Sequence, residues 1–379
     1  MHTKRLSHLV EQASARGLDV LALVPGPNLF YLTGLSFHLS ERPIVGLFPC
    51  DRCGRMDETP AIVLPALEAV KVEQAAIALE PFPYTDEEGH TSAFQRACAA
   101  LELADPSTDS GRGCIIGVES LRMRLLEVRL LERYGSGCRL IPAEEVLAEL
   151  RMRKDEHELA QMRRAIAVTE AALHTTMLQV RAGMTEREVA ALLMVEMLRA
   201  GGEGMAFSPI VVAGPNAASP HATPSDRAIQ PGETIVVDCG ATVGGYAADV
   251  TRTFAIGELE PEMAHVYEVV RAANAAGREA AGPGVPAEEL DWAARAVIEE
   301  AGYGEYFIHR TGHGLGLETH EPPYIVAGNS RSLEPGMTFT VEPGVYLPGR
   351  GGVRIEDDVL VTPSGAESLT MFPREFTSL

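Results

Sequence analysis

The 379-residue chain is 46% hydrophobic and 22% charged, ordinary globular composition with enough apolar material for two domains. Its 32 Lys plus Arg against 53 Asp plus Glu give a formal charge of −21, which argues against nucleic acid and membrane surfaces as partners. No uncharged apolar run approaches the roughly 18 residues of a membrane helix, and the segment after Lys4-Arg5 is a poor secretory signal, so a cytoplasmic protein is expected.

Residues 1–150 alternate short strands and helices. Apolar strands are predicted at 18–24, 43–48, 60–64 and 115–118, and a helix at 121–133, an α/β layer arrangement. Cys50 and Cys53 form a lone C-x-x-C without a second pair at zinc spacing and read as a plain loop. Cys98, Cys114, Cys138 and Cys239 are scattered singly, which suits small buried hydrophobes better than a disulfide framework. After Pro142, the charged run 151–158 marks a domain boundary and opens a long helix. Its inward stripe falls at 159, 162, 166, 169, 173, 177 and 180.

Residues 151–379 contain an internal repeat. Thr185-Glu186-Arg187-Glu188 is a capping box opening a helix that stops at Gly201-Gly202, and Pro286 opens an equivalent helix that stops at Gly302. Downstream, Q-P-G-E-T-I-V-V-D ending at Asp238 matches E-P-G-M-T-F-T-V-E ending at Glu342, at a constant offset of 104 residues. Each half thus delivers one acid at a strand end and another on the following strand, Asp249 and Glu356 respectively.

A two-residue turn at Gly244-Gly245 would set Asp249 opposite Gly240, making Asp238 and Asp249 diagonal neighbours on one face. Arg354 and Glu356 share a face of a strand predicted at 353–361, for the same period-two reason. Four half-buried carboxylates brought together would repel and protonate, whereas two divalent cations would neutralise them. His313, in the Gly-rich I-H-R-T-G-H-G-L-G-L-E-T-H, is the expected nitrogen ligand. An oxygen-rich set with one imidazole suits Mn²⁺, Co²⁺ or Zn²⁺, and paired ions about 3.5–4 Å apart would activate water and polarise a carbonyl.

The order Asp238, Asp249, His313, Glu342, Glu356, with V-D-C-G, D-V-T-R-T-F, G-H-G-L-G, V-E-P-G-V-Y and V-R-I-E-D-D, resembles the pita-bread metallopeptidases. These comprise methionine aminopeptidases, Xaa-Pro aminopeptidases and Xaa-Pro dipeptidases (prolidases). The resemblance implies a two-domain α/β and α+β fold. A creatinase-like α/β domain would span 1–150, and a pita-bread domain with a pseudo-two-fold repeat 151–379. It further implies a dinuclear site, with Mn²⁺ the expected ion. Substrate-binding or oxyanion-stabilising histidines of the family match His221, His309 and His320, and the family arginine matches Arg354.

An N-terminal domain of this size argues against methionine aminopeptidase. The segment N-L-F-Y-L-T-G-L-S-F-H-L-S-E-R-P, like P-Y-T-D-E-E-G further on, is similar to bacterial prolidases, whose His-Glu-Arg loop lies over the partner subunit's active site. Here Ser40 precedes Glu41-Arg42 and the histidine is His38, two residues earlier. The expected activity is therefore hydrolysis of Xaa-Pro dipeptides by a homodimer, with His38 and Arg42 facing substrate. An Xaa-Pro aminopeptidase is the alternative, and a non-catalytic peptide-binding module a lesser one. By the same resemblance Glu342 doubles as general base, and His221 and His320 stabilise the oxyanion or hold substrate.

Overall fold

The computed structural model describes residues 2–50, 59–103, 114–135 and 137–379, which cluster into two compact units, Met1–Leu150 and Arg151–Leu379. Cys53 lies outside the described residues.

The first unit runs α1 (His2–Ala15), β1 (Val20–Leu23), α2 (Pro27–Thr33), β2 (Val45–Pro49), β3 (Ala61–Pro65), α3 (Ala69–Val72) and β4 (Glu80–Tyr84). It continues with α4 (Thr91–Ala100), β5 (Ile115–Val118), α5 (Leu125–Tyr134), β6 (Arg139–Pro142) and α6 (Glu144–Arg151). The six strands form one mixed sheet in the order β4-β3-β2-β1-β5-β6. Strands β1, β2 and β3 are buried at every residue, so they read as unbroken apolar runs rather than alternating ones. The helix predicted at 121–133 begins only at Leu125, and Leu121 is 92% exposed. Glu144 Oε1 holds the preceding turn, accepting from Ser120 Oγ at 2.6 Å and from the Leu121 amide at 3.1 Å. Cys98 and Cys239 are buried as expected, but Cys114 and Cys138 are only half-buried and lie side by side, while Cys50, just past β2, is buried too.

The second unit opens with α7 (Glu156–Met177) and α8 (Glu186–Arg199), each begun by a capping box, Asp155 with Glu158 and Thr185 with Glu188. Helix α7 buries Leu159, Met162, Ile166, Thr169, Leu173 and Met177, the expected stripe, and leaves Leu178 exposed past its end. Next come β7 (Gly204–Met205), β8 (Ile210–Ala213), β9 (Thr234–Cys239), β10 (Ala241–Val243), β11 (Tyr246–Ala247) and β12 (Val250–Ala255). The second half repeats the order with α9 (Pro261–Ala280), α10 (Ala287–Glu300), β13 (Gly312–Gly314), β14 (Glu321–Ile325) and β15 (Thr338–Val341). It ends with β16 (Gly344–Leu347), β17 (Gly351–Arg354), β18 (Asp357–Thr362) and β19 (Gly365–Ser368). The matched sequence segments form β9 and β15, central in the sheets β12-β9-β8 and β14-β13-β15-β18-β19.

The strand predicted at 353–361 is broken. Strand β17 pairs with β16, β18 pairs with β15 and β19, and Ile355-Glu356 fall between, where the chain changes sheets. The two halves meet at this break. The Arg354 amide donates to Thr253 Oγ1 at 3.1 Å and the Glu356 amide to the Thr251 carbonyl at 3.1 Å. Among the described residues no helix is long and apolar enough to cross a membrane.

Candidate active site

Asp249, His313 and Glu356 converge where strands turn back, shift register or break. Gly244 and Gly245, at φ 58° and 80°, close β10 onto β11 with Val243 opposite Tyr246. The same register continues into β9 and β12, where Val250 faces Cys239, so Asp249 falls across from Gly240 as the sequence predicts. Any Cβ at Gly240 would sit 1.8 Å from the Ala248 carbonyl oxygen, so only glycine permits this approach. His313 lies in β13, whose register shifts between His313 and Gly314. Its Nδ1 faces the Gly314 carbonyl at 3.2 Å, which turns Nε2 to the acids, 3.2 Å from Glu342 Oε1 and 3.8 Å from Asp249 Oδ2.

Glu356, in the break between β17 and β18, is buried and accepts from Thr251 Oγ1 at 2.6 Å. Donor atoms of Asp249, His313 and Glu356 all lie within 4.8 Å of one another. Asp238 accepts from Arg354 Nη2 at 2.6 Å through Oδ2, while its Oδ1 is buried without a hydrogen-bond partner. An orphaned carboxylate oxygen beside two further buried acids and one imidazole fits a divalent cation of the oxygen-preferring or borderline kind.

The electrostatics point the same way. Burial and neighbouring acids push Asp249 and Glu356 well above the usual carboxylate range. Burial also raises Asp238, against the pull of Arg354. Glu342 differs: its own burial is outweighed by the His313 hydrogen bond and by surrounding positive charge, and it falls to about 2. Burial pushes His309 down and takes His320 to about 4, with His313 and Arg310 adding to the second.

These residues line one cavity of about 500 Å³, which also receives His221, His309, His320 and Arg354, with Phe207, Ile210 and Pro220 as apolar wall. The His320 ring meets His313 edge-on, with centroids 4.1 Å apart. Arg354 and Glu356 both reach the cavity although no continuous strand joins them, so the period-two argument is replaced by the sheet change. His38 and Arg42 belong to the first unit. His38 is exposed there, and Arg42 makes a two-point pair with Asp86 at 2.8 and 2.7 Å and touches Glu41 at 2.9 Å.

Sequence reasoning missed Tyr346, whose hydroxyl takes a hydrogen bond from Arg354 Nη1 at 2.8 Å and meets His309 Nε2 at 2.9 Å. It also missed Thr251. Both sit inside quoted motifs, V-E-P-G-V-Y and D-V-T-R, so proximity to an acid was the available signal.

A family model described as metallopeptidase family M24 matches residues 160–363, and one described as the creatinase/prolidase N-terminal domain matches residues 5–153. The chain is 38% identical to a probable dipeptidase PepE of Mycobacterium tuberculosis, over 99% of this chain and 96% of the relative. It is 32% identical to an Xaa-Pro dipeptidase of Pyrococcus horikoshii, over 98% of each. A solved prolidase from Thermococcus sibiricus superposes with a TM-score of 0.92 at 32% identity, covering 100% of this chain and 99% of that one.

Proposed function

The chain belongs to metallopeptidase family M24, and on that premise we propose that it hydrolyses the imide bond of Xaa-Pro dipeptides. The observation that carries the reading is the buried cluster of Asp249, His313 and Glu356 at the floor of a peptide-sized cavity, with Asp238 and Glu342 beside it. In this reading the five residues hold two divalent ions, Mn²⁺ by preference, with Co²⁺ or Zn²⁺ as substitutes. Such ions supply charge neutralisation of the acids and Lewis acidity toward the scissile carbonyl and water.

The remaining steps fall to the chain itself. Glu342 accepts the proton of the attacking water, then passes it to the departing proline nitrogen. His320, held near 4, is neutral at pH 7 and offers an uncharged N–H to the developing oxyanion, with His221. His309 and Arg354 hold substrate, their orientation fixed through Tyr346. A proline nitrogen carries no hydrogen for positioning, so shape must do that work.

Two finer points belong to the same reading. The protein acts as a homodimer, and the segment 37–42, with His38 and Arg42, sets the chain-length limit. Asp86 takes two of the Arg42 donors and Glu41 a third, so a substrate carboxylate would have to share or displace these partners. Deleting 37–42 should raise KM for Xaa-Pro and admit Xaa-Pro-Xaa without changing bound metal. Unchanged KM and continued refusal of tripeptides would reduce the segment to a turn. The activity itself is tested with Xaa-Pro against Xaa-Pro-Xaa peptides and added Mn²⁺. Cleavage of dipeptides alone supports the proposal, cleavage of both makes the protein an Xaa-Pro aminopeptidase, and cleavage of neither makes it a peptide-binding module.

A further inference from the structure

Cys114 and Cys138, distant in sequence, are brought into register at the start of two adjacent parallel strands. Ile115 pairs with Arg139, and the Arg139 amide donates to the Cys114 carbonyl at 2.7 Å, so the residues just before them face each other. Neighbouring strands lie about 4.7–4.9 Å apart, inside the Cα window of about 4.4–6.8 Å that a disulfide requires. In-register residues point to the same face, and both cysteines pack at the margin of the same apolar cluster as Ile116, Val118 and Leu131. The two thiols share a hydrogen bond, and Cys138 Sγ also lies 3.4 Å from the Leu103 carbonyl oxygen. Both residues are half-buried, so small reagents reach them, whereas Cys50, Cys98 and Cys239 are fully buried.

We propose that Cys114 and Cys138 form a reversible dithiol–disulfide site, oxidised by exchange with a small disulfide such as oxidised glutathione. The Cys138 thiolate attacks one sulfur of the small disulfide, forming a mixed disulfide and releasing one thiolate. Cys114, its proton lost to solvent, then attacks Cys138 Sγ and expels the second thiolate. Two protein thiols thereby become one cystine, while one small disulfide becomes two thiols. The order follows from the neighbours: the Cys114 hydrogen bond lowers Cys138, whereas burial pushes Cys50 and Cys98 up to about 12. The bond would tie β5 to β6 across α5.

The test treats the full-length protein under native conditions with oxidised glutathione, and follows it by intact mass and non-reducing peptide mapping. The expected product is lighter by two hydrogens, linked between the peptides carrying Cys114 and Cys138, and returned to its starting mass by dithiothreitol. Cys114→Ser should instead trap Cys138 as the glutathione adduct, and Cys138→Ser should accumulate neither species. A wild-type protein that ends as a stable glutathione adduct, links Cys138 to Cys98 or does not react overturns the proposal. The wild-type measurement stands whether or not either variant folds, and it is independent of peptidase activity.

Discussion

Glu356 is the residue on which the electrostatic argument turns. It is buried at the junction of the two halves, pushed well above the carboxylate range, and satisfied by one hydroxyl, Thr251 Oγ1. A cation is what would make its ionised form tolerable there. Glu356→Ala should therefore abolish turnover by losing metal, as elemental analysis beside kcat will read. His320→Ala should keep metal and lose about 10²–10³ in kcat, the usual cost of one oxyanion donor. A metal-replete Glu356→Ala protein would refute the assignment. Thr251 makes a subtler case, because its hydroxyl both donates to Glu356 and accepts from Arg354 Nε at 3.2 Å. Thr251→Val preserves shape while removing that link, and should weaken metal affinity about 10–100-fold in a competition titration. An unchanged affinity would leave Thr251 a packing residue.

At the scale of elements, the loop between β13 and β14 is fixed by charge. Glu321, directly after His320, is buried and paired with Arg151 and with Lys154 Nζ at 2.7 Å, and Arg151 also meets Glu318 at 2.8 Å. Gly316 packs so tightly that a Cβ would lie 2.7 Å from Glu321 Oε1. Burial alone would raise Glu321, but the two cations hold it below its ordinary 4.5. A depressed carboxylate contributes stability that is present above 4.5 and lost as pH falls through the folded value. Glu321→Gln should thus cost about 3–5 kcal/mol near neutrality, by leaving Lys154 buried without its partner. Its deficit against wild type, read by urea titration, should shrink on acidification. A deficit that stays constant from neutral to acid pH would show that packing, not charge, is at work. The same scale explains what the sequence could and could not reveal. The Asp238–Asp249 hairpin was legible because Gly-Gly sets a turn, a turn sets register, and register sets the face. The break at Ile355-Glu356 was not, since Val353–Glu356 alternates as a strand would and runs straight into the next apolar stretch, and sheet pairing divides the two. Nor was the meeting of Cys114 with Cys138, because parallel pairing leaves no local signature.

For the whole molecule, the repeat is what makes the site. Each half carries an acid at the end of the matched strand, Asp238 in β9 and Glu342 just past β15, and another at a later strand edge, Asp249 just before β12 and Glu356 between β17 and β18, and all four reach one cavity with His313. That logic was visible in the 104-residue offset, while the cavity walls, Phe207 and Ile210 among them, sit in loops and edges that carry no motif. The central claim is that this convergence exists to hold two cations. Anomalous diffraction from a crystal soaked in Mn²⁺, recorded at the manganese edge, tests it most directly. Two peaks enclosed by Asp238, Asp249, His313, Glu342 and Glu356 are the predicted result; a cavity without manganese density, in a crystal that still cleaves Xaa-Pro, would contradict it.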